Sequence, residues 1–253
     1  MFEHGNFSAV KRAAFEGGFF GPIIRGVRET MLPFQWEALN DRVPGGARSA
    51  CIHNFEVAAG LKEGSHDGFV FQDTDLAKWL EAVAYQLQLA PDAELERLAD
   101  GAIQLVEQAQ MPDGYLNTYY QLTGIDRRYT NLRDDHELYT AGHMLEAAVA
   151  YYLATGKDRL LKVMERMVDN IARHIGPEPG KLNGYPGHEE IELALCKLYD
   201  VTGKARYLEL AKYFIDQRGL SPNFFVEEQR KLGRDYKPGG AYGYTYGQHH
   251  LPV

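Results

Sequence analysis

Residues 135–157 read Asp135-His136-Glu137-Leu138-Tyr139-Thr140-Ala141-Gly142-His143-Met144-Leu145-Glu146-Ala147-Ala148-Val149-Ala150-Tyr151-Tyr152-Leu153-Ala154-Thr155-Gly156-Lys157. At 100° per residue, His136, Tyr139 and His143 share one stripe, while Leu138, Leu145, Val149 and Tyr152 lie on or near the opposite face. The stretch therefore reads as a helix with an apolar side for packing and a polar, aromatic side for something else. Gly156 ends it as a left-handed cap, and a second helical pattern follows at once. Working outward, the same 3.6-residue period recurs, and almost nothing alternates with period two. It predicts helices over 22–39, 47–61, 74–89, 92–110, 135–155, 158–174, 188–202 and 204–217. Asp92 after Pro91 supplies a start signal, and Gly203 a stop signal.

Some consecutive helices join through very short turns, at Leu89-Ala90-Pro91 and Thr155-Gly156-Lys157. Others are separated by long loops rich in Gly, Tyr and Asp, at 111–134 and 175–187. Alternation of this kind is what an α/α toroid produces, with tight turns at one end and a binding surface at the other. The expected fold is all-α: an incomplete (α/α)6 toroid with about four of six helical hairpins. The stretch 218–253, with Tyr236, Tyr242, Tyr244 and Tyr246 among glycines, reads as a loop at that binding surface, because aromatic residues are depleted in disorder.

The totals narrow the function classes. The 253 residues suit one large domain, with 45% hydrophobic and 25% charged residues, the proportions of an ordinary globular protein. A formal net charge of −8 argues against nucleic acid as a partner, which calls for a basic face. No apolar run reaches the roughly 18 residues that a membrane span needs. The segment Met1-Phe2-Glu3-His4-Gly5-Asn6 has no apolar core of a signal peptide, so the expected location is cytoplasmic. Cys51 and Cys196 fall within helical patterns, far apart in sequence. They read as buried free thiols and form no metal-ligand spacing.

Three histidine-centred patches carry the candidate chemistry: the one at His136, Gly187-His188-Glu189-Glu190-Ile191-Glu192, and Gln248-His249-His250-Leu251-Pro252-Val253. His136 and His143 would stand about 10 Å apart along a helix axis, so they cannot share one metal. His143 reads as a packed core histidine, and His136 as the functional candidate. Gly187-His188 is expected to open a helix, with Glu189 and Glu190 in its first turn facing the positive end of the macrodipole. Glu192, four residues on, is placed to fix the tautomer of His188. The Asp113-Gly114 turn would present Tyr115 and Asn117. Asp73 or Asp75 would cap the helix that carries Trp79. Gln35-Trp36 offers an amide and a ring for a sugar, although Trp36 also suits a core. Hydrolysis of a glycoside needs two carboxylates across the scissile bond, and spacing alone selects no pair.

The motifs resemble a known family in their order. Phe15-Glu16-Gly17-Gly18-Phe19-Phe20-Gly21, Leu32-Pro33-Phe34-Gln35-Trp36-Glu37 and Asn54-Phe55-Glu56-Val57-Ala58-Ala59-Gly60 come first. Asp73-Thr74-Asp75-Leu76-Ala77-Lys78-Trp79-Leu80-Glu81, Pro112-Asp113-Gly114-Tyr115-Leu116-Asn117-Thr118 and the three histidine patches follow. Together they are similar to the N-terminal part of glycoside hydrolase family 127, the β-L-arabinofuranosidases. The resemblance implies a retaining hydrolase of terminal β-L-arabinofuranosyl groups on an (α/α)6 barrel. It implies sugar contacts at His136, His188 and His250, and a hydroxyl contact at Gln35. It also implies a zinc-held cysteine thiolate nucleophile and a glutamate acid/base. Cys51 and Cys196 match none of the zinc-binding motifs. Residues 1–253 are therefore expected to be the N-terminal portion of one barrel domain, without catalytic residues, bound metal or activity of their own. An arabinose-containing carbohydrate is the expected partner, with homodimerisation open. Two rivals stand beside this reading: an α/α-barrel sugar epimerase or isomerase working through histidines alone, and a non-catalytic sugar-binding piece. Metal-free isomer interconversion would identify the first rival, and binding without turnover the second.

Overall fold

The computed structural model describes residues 18–234. Helix α1 (Phe20–Gly26) runs through a π-helical turn (Val27–Met31) into α2 (Leu32–Leu39). The irregular turn sits just ahead of Pro33, which has no N–H to continue the ladder. Then come α3 (Cys51–Ala58), α4 (Asp73–Leu89), α5 (Ala93–Ala109), α6 (Thr118–Thr123) and a 3-10 turn at Ile125–Arg127. They are followed by α7 (Glu137–Thr155), α8 (Arg159–His174), α9 (Ile191–Thr202), α10 (Ala205–Arg218) and α11 (Phe224–Lys231). Among the described residues the only β pairing is an isolated bridge between Ile175 and Leu182, so the expected all-α class holds. No helix of these residues is long and apolar enough to cross a membrane.

Two layers form. The inner layer is α2, α4, α7 and α9 in succession, with α4 packed most extensively on α7 and α7 on α9. Outside it, α5 backs α4, α8 backs α7 and α10 backs α9. This is an arc of an α/α toroid. Burial follows the layers. Helix α8 buries one stripe, Leu160, Leu161, Val163, Met164, Met167, Val168 and Ile171, as a helix with one face on a core should. Helix α7 is covered on several sides and buries thirteen of its nineteen residues, mostly Ala, Leu and Val. Gly142 allows the start of α9 to approach α7: a Cβ there would stand 2.8 Å from Glu190 Cγ and 2.9 Å from Ile191 N. Trp36 stacks on Trp79 at 4.6 Å, and the Trp79 indole N–H donates to the Leu32 carbonyl at 3.0 Å. That places Trp36 in the α2–α4 contact rather than on a sugar.

The tight turns appear as expected. Asp92 caps α5 by accepting the Leu95 N–H at 3.1 Å, and Gly156 and Gly203 end α7 and α9 with φ of 74° and 68°. Several boundaries differ from the sequence reading. Residues 47–50 are not helical, because the Asp41 carboxylate takes the N–H groups of Ser49 and Ala50 and Ala50 turns left-handed at φ 56°. The loop 111–134 contains a helix, α6, started by Asn117, whose side chain accepts the Tyr120 N–H at 3.1 Å. Residues 218–234, expected to be coil, include α11. Neither Asp73 nor Asp75 caps α4, since its N-cap position is Gln72 and makes no side-chain cap bond. Helix α9 begins at Ile191, so Glu189 and Glu190 precede its first turn instead of filling it.

Candidate functional site

The N-terminal ends of α4, α7 and α9 are each fed by a long loop, and two of the three candidate histidines, His136 and His188, meet there. His136 is the N-cap residue of α7 and adopts a left-handed conformation, φ 55°, ψ 21°. Such a backbone in a non-glycine residue is strained and persists only where the surroundings hold it. Its ring lies 4.8 Å from that of His188, centroid to centroid. Phe71, in the loop before α4, stands 5.0 Å from His136. Tyr139, one turn into α7, is 4.8 Å from His188 and packs edge-on to His136 at 5.6 Å. The Lys78 ammonium of α4 donates to the Tyr139 hydroxyl at 3.1 Å. Segments more than fifty residues apart thus place two imidazoles against two aromatic rings.

The tautomer of His136 follows from its contacts. Its Nδ1 faces the carbonyl oxygen of Asp134, and a carbonyl can only accept, so Nδ1 carries the proton. Nε2 is then the unprotonated ring nitrogen, an acceptor. Burial lowers the His136 pKa, against the nearby carbonyl and carboxylates of Asp134 and Asp135, so the ring is neutral near pH 7. His143 is pushed down to about 4 by burial and by the charges of Lys78 and His188. Its Nδ1 lies 3.2 Å from Glu190 Oε1, yet the two lack the alignment of a hydrogen bond and both atoms are left unpartnered. His143 packs edge-on to Tyr139 at 4.4 Å, so it belongs to the same wall and is not a satisfied core histidine. Further along that wall, Glu146 meets Lys197 at 2.8 Å. Burial, with the charges of Glu146 and Glu81, raises Glu190 to about 7.

Buried carboxylates pin the loops that form the rim. Asp73 accepts the backbone N–H of Thr118 at 2.8 Å and also its hydroxyl, and burial raises its pKa to about 6. Glu137 accepts the Tyr115 hydroxyl and, at 2.7 Å, the Tyr129 N–H, with burial raising it to about 8. Tyr115 and Asn117 are therefore not presented to a ligand. They are 0% and 1% exposed, one bonded to Glu137 and the other capping α6. The expected bond between Glu192 and His188 is also replaced, because Glu192 Oε1 accepts from Arg218 at 2.6 Å.

Of the four sequence candidates, His136 and His188 come together. Gln35 is exposed on α2, and no hydrogen bond or ring contact among the described residues brings it to them. His250 and the tyrosines from Tyr236 onward lie outside the described residues. Phe71 and Lys78 were missed. The available signal was an aromatic pair, Phe69 and Phe71, directly ahead of an inner helix.

The implied zinc does not fit the described residues. Among them no group of three or more His, Cys, Asp or Glu side chains is arranged to hold a metal. Cys51 on α3 is buried, and burial with the charges of Asp73 and Asp75 raises its pKa well above the usual thiol value. Cys196 on α9 is raised too, by burial first and then by Asp200. Neither has the electropositive setting that makes a thiolate.

Residues 14–253 match the family described as β-L-arabinofuranosidase, GH127 catalytic domain. A non-reducing end β-L-arabinofuranosidase of Bifidobacterium longum subsp. longum is 42% identical over 243 residues, covering 89% of this chain and 37% of that protein. A GH127 β-L-arabinofuranosidase from Geobacillus stearothermophilus T6 superposes with a TM-score of 0.89 at 52% identity, over 94% of this chain and 37% of that one. A further GH127 β-arabinofuranosidase gives 0.75 at 34% identity, over 86% of this chain and 34% of that one. The chain thus spans a little over a third of the length of these relatives. With nearly all of its residues inside the matched region, it belongs to the glycoside hydrolase family 127 catalytic-domain family.

Proposed function

We propose that these residues supply one side of the sugar pocket of a retaining β-L-arabinofuranosidase that acts on terminal arabinofuranosyl groups. The observation that carries this reading is the 4.8 Å pairing of His136 with His188 at the loop end of the toroid, between Phe71 and Tyr139. A furanose presents hydroxyls around its edge and C–H groups on its faces. Imidazoles suit the first, and aromatic rings the second. His136 Nε2 can accept a hydrogen bond from a sugar hydroxyl and so hold that oxygen in place, while the Lys78–Tyr139 bond keeps Tyr139 from swinging away. Loop pinning by Asp73 and Glu137 keeps the rim ordered before the sugar arrives, which lowers the entropy cost of binding.

Bond cleavage needs a nucleophile and a proton donor at the anomeric carbon. Asp73 and Glu137 are committed to protein donors through both oxygens and Glu192 through one. Burial raises the pKa of both described thiols, and Glu190, whose Oε1 is left unpartnered, is one carboxyl where the reaction needs two groups. We therefore assign binding and orientation to the described residues and no chemical step. The test is calorimetric titration of the 253-residue chain with a β-L-arabinofuranoside, alongside a chromogenic turnover assay with zinc and reductant. Binding lost in both His136→Ala and His188→Ala, without turnover in any form, is the expected result. Turnover that survives replacement of Cys51 and Cys196 would show that other residues carry the chemistry. Wild-type affinity unchanged in both histidine variants would remove the pocket reading.

A further inference from the structure

Helix α11 lies close to a hundred residues beyond a loop that it grips firmly. Glu228 and Gln229 are 4% and 2% exposed. The Glu228 carboxylate accepts two successive backbone N–H groups, Leu132 at 2.6 Å and Arg133 at 3.1 Å. Gln229 Nε2 donates to the Asn131 side-chain oxygen at 3.1 Å, and Asn131 in turn donates to Asp135 at 2.8 Å. The strip 131–133 is thus held at every residue.

Both histidines hang from that strip. On one side it leads into Asp134, whose carbonyl receives the His136 Nδ1–H. On the other, the Leu132 carbonyl accepts the N–H of Gly187 at 3.0 Å, next to His188. Gly187 is pressed against the strip so closely that a Cβ there would fall 2.1 Å from the Arg133 carbonyl oxygen. A movement of residues 131–133 therefore moves both imidazoles, and their spacing changes unless both shift together.

We infer that Glu228, aided by Gln229, is a positioning residue for the sugar pocket: it sets the spacing of His136 and His188 through the strip 131–133 rather than by a bond to either ring. Its functional arm rests on the proposed sugar-binding reading; its structural arm does not. A carboxylate suits the role because its two oxygens can take both N–H groups at once, whereas a neutral amide offers only one acceptor.

The experiment is nitrogen-15 NMR of the chain, following the imidazole resonances of His136 and His188 and the amides of Leu132 and Arg133, together with sugar titration. Glu228→Ala is expected to move both imidazole signals and weaken binding by about tenfold, the loss expected when charged hydrogen bonds go. Glu228→Gln keeps one acceptor and should show smaller shifts of the same kind. Asp92→Ala, a destabilising change at the opposite end of the helices, should leave both rings unmoved. If Glu228→Ala lowers the melting temperature while both imidazoles stay in place, Glu228 is only an anchor and the inference fails. Should that variant not fold, Glu228→Gln decides: rings that stay fixed while the two amides move overturn the inference. Imidazole shifts without any wild-type sugar affinity would uphold the positioning role and sink the sugar reading alone.

Discussion

At one end of the double layer, α4 passes to α5, α7 to α8 and α9 to α10 through 90–92, 156–158 and 203–204, short turns that are largely exposed. At the other end, 59–72, 110–136 and 175–190 feed α4, α7 and α9 through long, partly buried segments. The short turns are stabilised locally, by a capping Asp92 and by glycines in the left-handed region. The long segments are stabilised from far away, by carboxylates of Asp73, Glu137 and Glu228 that bind partners 45, 22 and 96 residues distant. Local chemistry is enough to reverse a chain. Holding two imidazoles 4.8 Å apart at the mouth of a barrel needs bonds that cross between elements. Within the long segment before α7, Tyr129 and His136 both take a left-handed backbone, which the surrounding bonds over-determine.

This contrast can be broken most directly at Glu137. Glu137→Ala strips the Tyr115 hydroxyl and the Tyr129 N–H of their acceptor inside the protein, and buried donors left unpaired should cost about 3 kcal/mol. Urea unfolding measures this, and a loss under about 1 kcal/mol would mean that the loop end is not held by its carboxylates.

A milder test uses pH. Glu137, Glu190 and Glu228 have folded pKa values raised to about 8, 7 and 7 above the ordinary carboxylate value. Between pH 6.5 and 8.5 the unfolded chain holds no proton on these groups, while the folded one releases its own as the pH rises. Stability therefore falls across that window. The histidines lowered by folding, His66, His136 and His143, oppose the trend only near pH 6.5, where their unfolded rings are still partly charged, and they are neutral in both states at the upper end of the window. The melting temperature should drop by several degrees from pH 6.5 to 8.5, and Glu137→Gln should flatten the slope. A rising melting temperature would show that these carboxyls are ionised throughout.

The smallest effect belongs to the short-turn end. Asp92→Ala removes a helix cap and should cost about 1 kcal/mol, with sugar binding unchanged within error. A change in affinity from that variant would mean that the two ends are coupled, and would blur the division between them.

Much of the scaffold was legible because its signals are local. The 3.6-residue stripe of α8, the Asp92 cap and the left-handed Gly156 and Gly203 each depend on a few neighbouring residues, so the sequence by itself determined the long helices, the short turns and the all-α class. The order of motifs added the family. Loop contents were harder: Asn117 starting α6 and Asp41 holding Ser49 and Ala50 out of a helix both involve side chains that also suit open turns. Beyond that, only the tertiary structure could decide. The sequence flagged His136 and His188 separately, but their pairing arises from a strip of three residues gripped by α11. It also nominated Tyr115, Asn117 and Glu192, whose chemistry fits a sugar equally well, and the fold consumed all three internally. A side chain's type fixes what it can bond. Which bond it makes depends on what distant segments bring within 3 Å, and residue spacing along the chain does not encode that.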